Sequence, residues 1–221
     1  MYSSVKAIIL DFDGTIFRVF TEAYDISTTT QAINELLEKY GIEFSPESDI
    51  FESFYAVTFS ANDEKTKEKV LQQVDNLVTT AEIEALSTGI LTEGFDNFLK
   101  EAEKHRKVLA VVSNNSEKCI NRFLSDNKIK KMPVLGRIGT HPELMKPHVY
   151  LLETMCAELG LSKDEVVFIG DNPRDYLCAK NFGCGFIALT PTEKKKNRFV
   201  KSLPKVPLVE DFYGLNKILF D

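Results

Sequence analysis

The chain has 221 residues, 43% of them hydrophobic and 27% charged, enough apolar material for one good core and a smaller appendage. Its net charge of −6 and pI near 5.3 argue against a nucleic-acid or anionic-membrane partner, since either needs a basic face. No apolar stretch approaches the roughly 18 residues of a membrane span, and no charged-then-apolar leader precedes the first strand. The four cysteines form no Cys-x-x-Cys pair and read as small buried hydrophobes, so a cytoplasmic setting is expected.

The first predicted element is the apolar strand Val5-Lys6-Ala7-Ile8-Ile9-Leu10, followed at once by Asp11-Phe12-Asp13-Gly14-Thr15. Two carboxylates at the carboxyl end of a buried strand stand where open α/β sheets bind ligands. Like charges held that close call for a cation. Taken alone, Asp-x-Asp-Gly suits a strand-ending turn equally well.

About ninety residues then change to helical spacing. The spacing predicts a helix over 28–40, with Ile33, Leu36, Leu37 and Tyr40 on one face and Gly41 as its stop. A second helix is expected to open at Ser45 as N-cap with Pro46 as first residue, burying Ile50, Phe51, Phe54 and Tyr55. A third covers 63–80 through Val70, Leu71, Val74, Leu77 and Val78. Three amphipathic helices make a small bundle.

After Gly94 helices and strands alternate, the pattern of a parallel sheet covered on both faces. Helices are predicted over 95–104, 116–127, 147–159, 173–182 and 211–220, and strands over 108–112, 134–135, 166–169 and 185–189. Polar groups sit where elements end: Ser113-Asn114-Asn115 after one strand, Lys146-Pro147 opening a helix, and Gly170-Asp171 after another strand, with Asp175 four residues on. Each has an ordinary reading, since Ser and Asn cap helices, Lys-Pro suits a surface loop, and an acid favours a helix N-terminus. The run Lys194-Lys195-Lys196-Asn197-Arg198 is expected to be a solvated loop after the last core strand. The string Gly183-Cys184-Gly185 lies between a helix and a strand, the reverse of the order a dinucleotide fingerprint requires. The three histidines do not cluster at metal-ligand spacing.

Taken in order, Asp11-x-Asp13-x-Thr15, Ser113, Lys146 and Gly170-Asp171-x-x-x-Asp175 resemble the four motifs of the haloacid dehalogenase superfamily, in its phosphoglycolate phosphatase-like form with a helical cap after the first motif. The resemblance covers roughly residues 5–20 and 90–190. It implies a three-layer, Rossmann-like α/β core of parallel strands over 1–17 and 90–221, with the cap over 18–89. It also implies a Mg²⁺-dependent phosphatase acting on a small phosphorylated metabolite, without nucleic-acid or membrane partners.

By the same resemblance Asp11 is the nucleophile that becomes an aspartyl-phosphate, and Asp13 the general acid and then base. Ser113, Asn114 and Lys146 hold the phosphoryl group. Asp11, Asp13 (through its backbone carbonyl) and Asp171 ligate Mg²⁺, and Asp175 orients them from behind. Asp13 argues against dehalogenases and phosphonate-cleaving members, which generally lack an acid there. Arg18, leading into the cap, is a candidate substrate contact. A phosphomutase of the same fold stays open, as does a catalytically idle phosphate-binding or interaction module.

Overall fold

Strand β1 (Ala7–Leu10) is entirely buried, and its alternation divides the core. The computed structural model describes residues 2, 4–60, 63–202 and 205–221. β1 pairs in parallel with β4 (Val108–Val112) on one side and β6 (Val166–Gly170) on the other. Outward from these lie β5 (Val134–Leu135), β7 (Gly185–Leu189) and β8 (Leu208–Val209), giving the order β5-β4-β1-β6-β7-β8, all parallel.

Because side chains alternate across a strand, Ile8 and Leu10 face one layer and Ala7 and Ile9 the other. The first layer receives Phe95 and Phe98 of α4 (Phe95–Lys104), Ile120 and Phe123 of α5 (Glu117–Asp126), and Phe212 of α9 (Phe212–Phe220). The second receives Leu152 and Met155 of α6 (Tyr150–Leu159), Cys178 and Ala179 of α7 (Pro173–Phe182), and Phe199 of α8 (Glu193–Ser202). The result is the expected three-layer α/β fold.

Between β1 and α4 stand α1 (Ser27–Glu38), α2 (Glu52–Ser60) and α3 (Glu64–Ala85), packed on one another through Ile33, Leu37, Phe54, Val57, Val70 and Val74. This helical segment is tied to the sheet layer by a short antiparallel ribbon, β2 (Phe17–Arg18) with β3 (Ile90–Leu91). Neither this ribbon nor β8 is among the predicted elements; two-residue strands carry little period-2 signal, and of the four in the fold only β5 is anticipated from the sequence.

Three further expectations are corrected. The second helix does not open at Ser45-Pro46: residues 46–51 form turns, and the Asp49 carboxylate accepts from the Phe51 amide at 3.0 Å, so the helix begins at Glu52. Lys146-Pro147 does not open a helix either. Asn114 takes both backbone groups of Lys146, its Oδ1 accepting from the Lys146 amide at 2.9 Å and its Nδ2 donating to the carbonyl at 3.1 Å. The helix waits until Tyr150, whose amide donates to His148 Nδ1 at 3.1 Å. Third, residues 194–198 are not a loop but part of α8, whose Phe199 is fully buried against the sheet.

Candidate active site

The carboxyl ends of β1, β4 and β6 are adjacent in register, with Leu10 beside both Val111 and Ile169. Asp11, Ser113 and Asp171, each one or two residues further on, therefore meet at one sheet edge, where the strand order turns back on itself. Asp11 is 6% exposed, Ser113 1% and Lys146 3%.

Two donors converge on one oxygen of Asp11. Ser113 Oγ donates to Oδ1 at 2.7 Å, and Lys146 Nζ lies 2.7 Å from the same atom. Lys146 also pairs with Asp175 Oδ1 at 2.6 Å. Burial by itself would lower the Lys146 pKa, but Asp11 and Asp175 more than offset it and hold the ammonium charged well above its ordinary range. Asp175 Oδ2 accepts from the Asn172 amide at 3.0 Å, closing a capping box on α7 whose other half is Asn172. Asp175 therefore caps the helix and holds the lysine at once.

Asp11, Asp171 and Asp175 each offer a carboxylate oxygen within 4.8 Å of the others. Burial pushes Asp171 up to about 6, against the opposing pull of Lys195, and raises Asp175 as well, against the pull of Lys146. Hard oxygen donors at this density, with no cysteine or histidine among the described residues that line the pocket, fit Mg²⁺ rather than Zn²⁺. Asp13 brings no carboxylate to this group. Its Oδ1 accepts from the Val19 amide at 2.8 Å, at the start of the segment leading to α1, and desolvation pushes its pKa up to about 6.

Gly14 has φ +81, and a Cβ there would collide with Asp171 Oδ2 and Lys195 Nζ. A glycine is required by both backbone and space. Lys195 is a residue that sequence reasoning missed: from α8 its ammonium pairs with Asp171 Oδ2 and donates to the Gly14 carbonyl at 3.0 Å. The run of three lysines was visible, but nothing in it marks which one turns inward.

These groups line a pocket of about 300 Å³ whose outer wall includes Arg18, Phe20, Asp49 and Phe51. Arg18 is exposed on β2 and within this wall. A wider cleft of about 1190 Å³ continues from Asp13 along α1 and the 46–51 turns, passing Phe20, Glu35, Glu47 and Phe51. Asn114 stands in the pocket, but its side chain is committed to the Lys146 backbone.

A family model for haloacid dehalogenase-like hydrolases matches residues 8–189. The chain is 30% identical over 103 residues to the phosphoglycolate phosphatase of Pasteurella multocida (strain Pm70), covering 46% of this chain and 45% of that protein. It is 31% identical over 114 residues to the phosphoglycolate phosphatase of Mannheimia succiniciproducens, covering 51% and 50%. The chain thus spans about half the length of the curated relatives it matches. Among solved structures, a haloacid dehalogenase-like family hydrolase from Streptococcus pneumoniae superposes with a TM-score of 0.63 at 15% identity, covering 98% of this chain and 99% of that one. That likeness is one of fold.

Proposed function

Because the chain belongs to the haloacid dehalogenase-like hydrolase family, we propose that it is a Mg²⁺-dependent phosphatase of small phosphate monoesters, working through an aspartyl-phosphate on Asp11. The observation that carries this reading is the Asp11 carboxylate, buried and pinned through Oδ1 by Ser113 and Lys146. A phosphate monoester resists attack because its oxygens are anionic, so positive charge and a positioned nucleophile must be supplied together.

In this reading an Asp11 oxygen attacks phosphorus as the bond from phosphorus to the ester oxygen breaks. Asp13 gives its proton to the departing oxygen. Burial pushes its pKa up to about 6, so a larger share of it carries a proton near neutrality than of an ordinary carboxyl. Asp13 then takes a proton from the water that cleaves the acyl phosphate, and inorganic phosphate leaves. Lys146 keeps positive charge beside the transferring group, and Ser113 donates a hydrogen bond to it. Asp11, Asp171 and the Asp13 carbonyl would hold Mg²⁺, which neutralises phosphoryl charge when bound.

The helical segment over 18–89 acts as the cap that selects the leaving group, because the wide cleft beyond Asp13 is walled mainly by its residues. The names of the curated relatives place 2-phosphoglycolate first among esters to try.

The test is phosphate release from an aryl phosphate, with Mg²⁺ and with chelator, for the native chain and Asp11→Asn. Metal-dependent turnover lost by at least about a thousandfold in the variant is expected, since a nucleophile has no substitute. Equal turnover in both proteins, or turnover indifferent to chelator, would overturn the reading.

A further inference from the structure

Glu82 has no part in the chemistry proposed for Asp11 and Asp13, yet it is fully buried and joined to Asp11 through Asn115 and Ser113. Asp75, Thr79 and Glu82 share one face of α3 at helical spacing. All three close on Arg137, which follows β5: Nε meets Asp75 Oδ1 at 2.7 Å, Nη2 donates to Thr79 Oγ1 at 2.8 Å, and Nη1 meets Glu82 Oε1 at 2.5 Å. The guanidinium also stands 5.3 Å from the Phe54 ring centre and 5.9 Å from that of Phe51, a wall of the pocket.

Beyond Arg137, Glu82 reaches the loop that carries Ser113. Its Oε1 accepts from Asn115 Nδ2 at 3.1 Å and its Oε2 from the Ser116 amide at 3.1 Å. Asn115 Oδ1 in turn lies 3.0 Å from Ser113 Oγ, which lies 2.7 Å from Asp11 Oδ1. A carboxylate only accepts hydrogen bonds, so Glu82 fixes the Asn115 amide with its NH₂ turned away from Ser113 and its oxygen turned toward it. Ser113 has one hydroxyl proton: at rest it goes to Asp11 Oδ1, and the Asn115 oxygen gives it a second acceptor to which it can turn.

We infer that Glu82 is a positioning residue through which α3 sets the Asn115 amide, and thereby the direction in which Ser113 donates. The inference rests on the phosphatase reading for its kinetic consequence. If the Asn115 amide turned over, its NH₂ would donate to Ser113 Oγ and leave the hydroxyl proton no acceptor within the protein but Asp11, locking it on the nucleophile and away from the phosphoryl group. Arg137 supplies the counter-charge that lets Glu82 sit buried as an acceptor.

The experiment is a double-mutant cycle between Glu82→Gln and Ser113→Ala, with kcat and KM for an aryl phosphate. Glutamine keeps the shape and an acceptor for the Ser116 amide, but its NH₂ permits the Asn115 amide to turn. Glu82→Gln is expected to lower kcat roughly 10- to 100-fold, the range for partners behind a reacting group, with KM changed less than about threefold. Ser113→Ala with Glu82→Gln should be no slower than Ser113→Ala alone. Losses that multiply, or a native kcat in Glu82→Gln, would overturn the inference. Should Glu82→Gln not fold, Asn115→Ala tests the same link without touching the Arg137 pair, with the same expected non-additivity. If the native chain releases no phosphate, the phosphatase reading falls, and orthovanadate affinity then runs the cycle: a loss shared between Glu82→Gln and Ser113→Ala supports the link, and independent losses end it.

Discussion

Lys195 and Lys146 are two buried or half-buried ammonium groups serving one acidic cluster, and they differ in what they hold. Lys146 is 3% exposed and bridges Asp11 and Asp175. Lys195 is nearer to solvent and answers Asp171 from a helix outside the four motifs. Removing one member of such a pair leaves an uncompensated charge in a poorly solvated place. Because Lys195 is partly open to solvent, Lys195→Met is expected to destabilise the chelated protein by about 1–3 kcal/mol, the cost of an unsatisfied buried acceptor, and to tighten Mn²⁺ binding several-fold, because a competing cation has been removed. Thermal unfolding in chelator and a Mn²⁺ titration check both effects, and unchanged metal affinity would count against competition at Asp171. Arg18 lies further out, exposed on the pocket wall. Arg18→Ala should raise KM about tenfold for esters with an anionic leaving group, the cost of a lost charged hydrogen bond, and leave a neutral aryl ester nearly unaffected. A uniform profile across the panel would remove Arg18 from specificity.

At the scale of elements, residues that satisfy a helix terminus also hold other parts of the site. Asp175 and Asn172 cap α7, and Asp175 at the same time holds Lys146. Ser116 caps α5 through the Cys119 amide at 3.3 Å, while its own amide goes to Glu82. Asp63 only caps, its carboxylate accepting from the Thr66 amide at 3.0 Å on an exposed face of α3. Asp63→Ala is expected to cost about 1 kcal/mol of stability with no change in kcat, read by denaturant unfolding beside steady-state kinetics. A change in kcat would mean that the start of α3 is coupled to the site, as its end already is through Glu82.

Across the whole molecule the sheet edge collects more buried acid than it neutralises. Asp13 and Asp171 are pushed from 3.8 up to about 6, and Asp175 is raised as well, all chiefly by burial. In the unfolded chain these carboxyls would hold protons only below about pH 4. Between about pH 4 and 6 the folded state thus binds more protons than the unfolded one, so stability must rise as pH falls through that window. The chelated protein is expected to melt higher at pH 5 than at pH 7, with excess Mg²⁺ flattening the difference. Calorimetry at the two pH values decides it; a lower melting temperature at pH 5 in chelator would contradict the balance of charges described.

Local physical chemistry made most of the architecture legible. The strands at 108–112, 134–135 and 185–189 and the helices at 95–104 and 173–182 coincide with the observed elements, because strong periodicity, caps and strand-ending glycines act over a few residues. Asp11, Ser113, Lys146, Asp171 and Asp175 are picked out by the resemblance of their order to the four family motifs; their places at element ends, taken alone, suit caps, turns and a surface loop equally well. What escaped lies in long-range pairing. Asn114 is expected from the sequence to help hold the phosphoryl group, whereas the fold brings Lys146, thirty-two residues away in the chain, to its side chain. Lys195 turned inward because α8 seats Phe199 against the sheet, and Glu82 became buried because Arg137, distant in the chain, arrives to pair with it. By itself the sequence determined most of the elements, the order of the acids and the strand ends that bear them, since those follow from neighbours in the chain. Only the tertiary structure decided which charges are partnered, because burial and pairing depend on residues that backbone topology, not local preference, brings within hydrogen-bond reach.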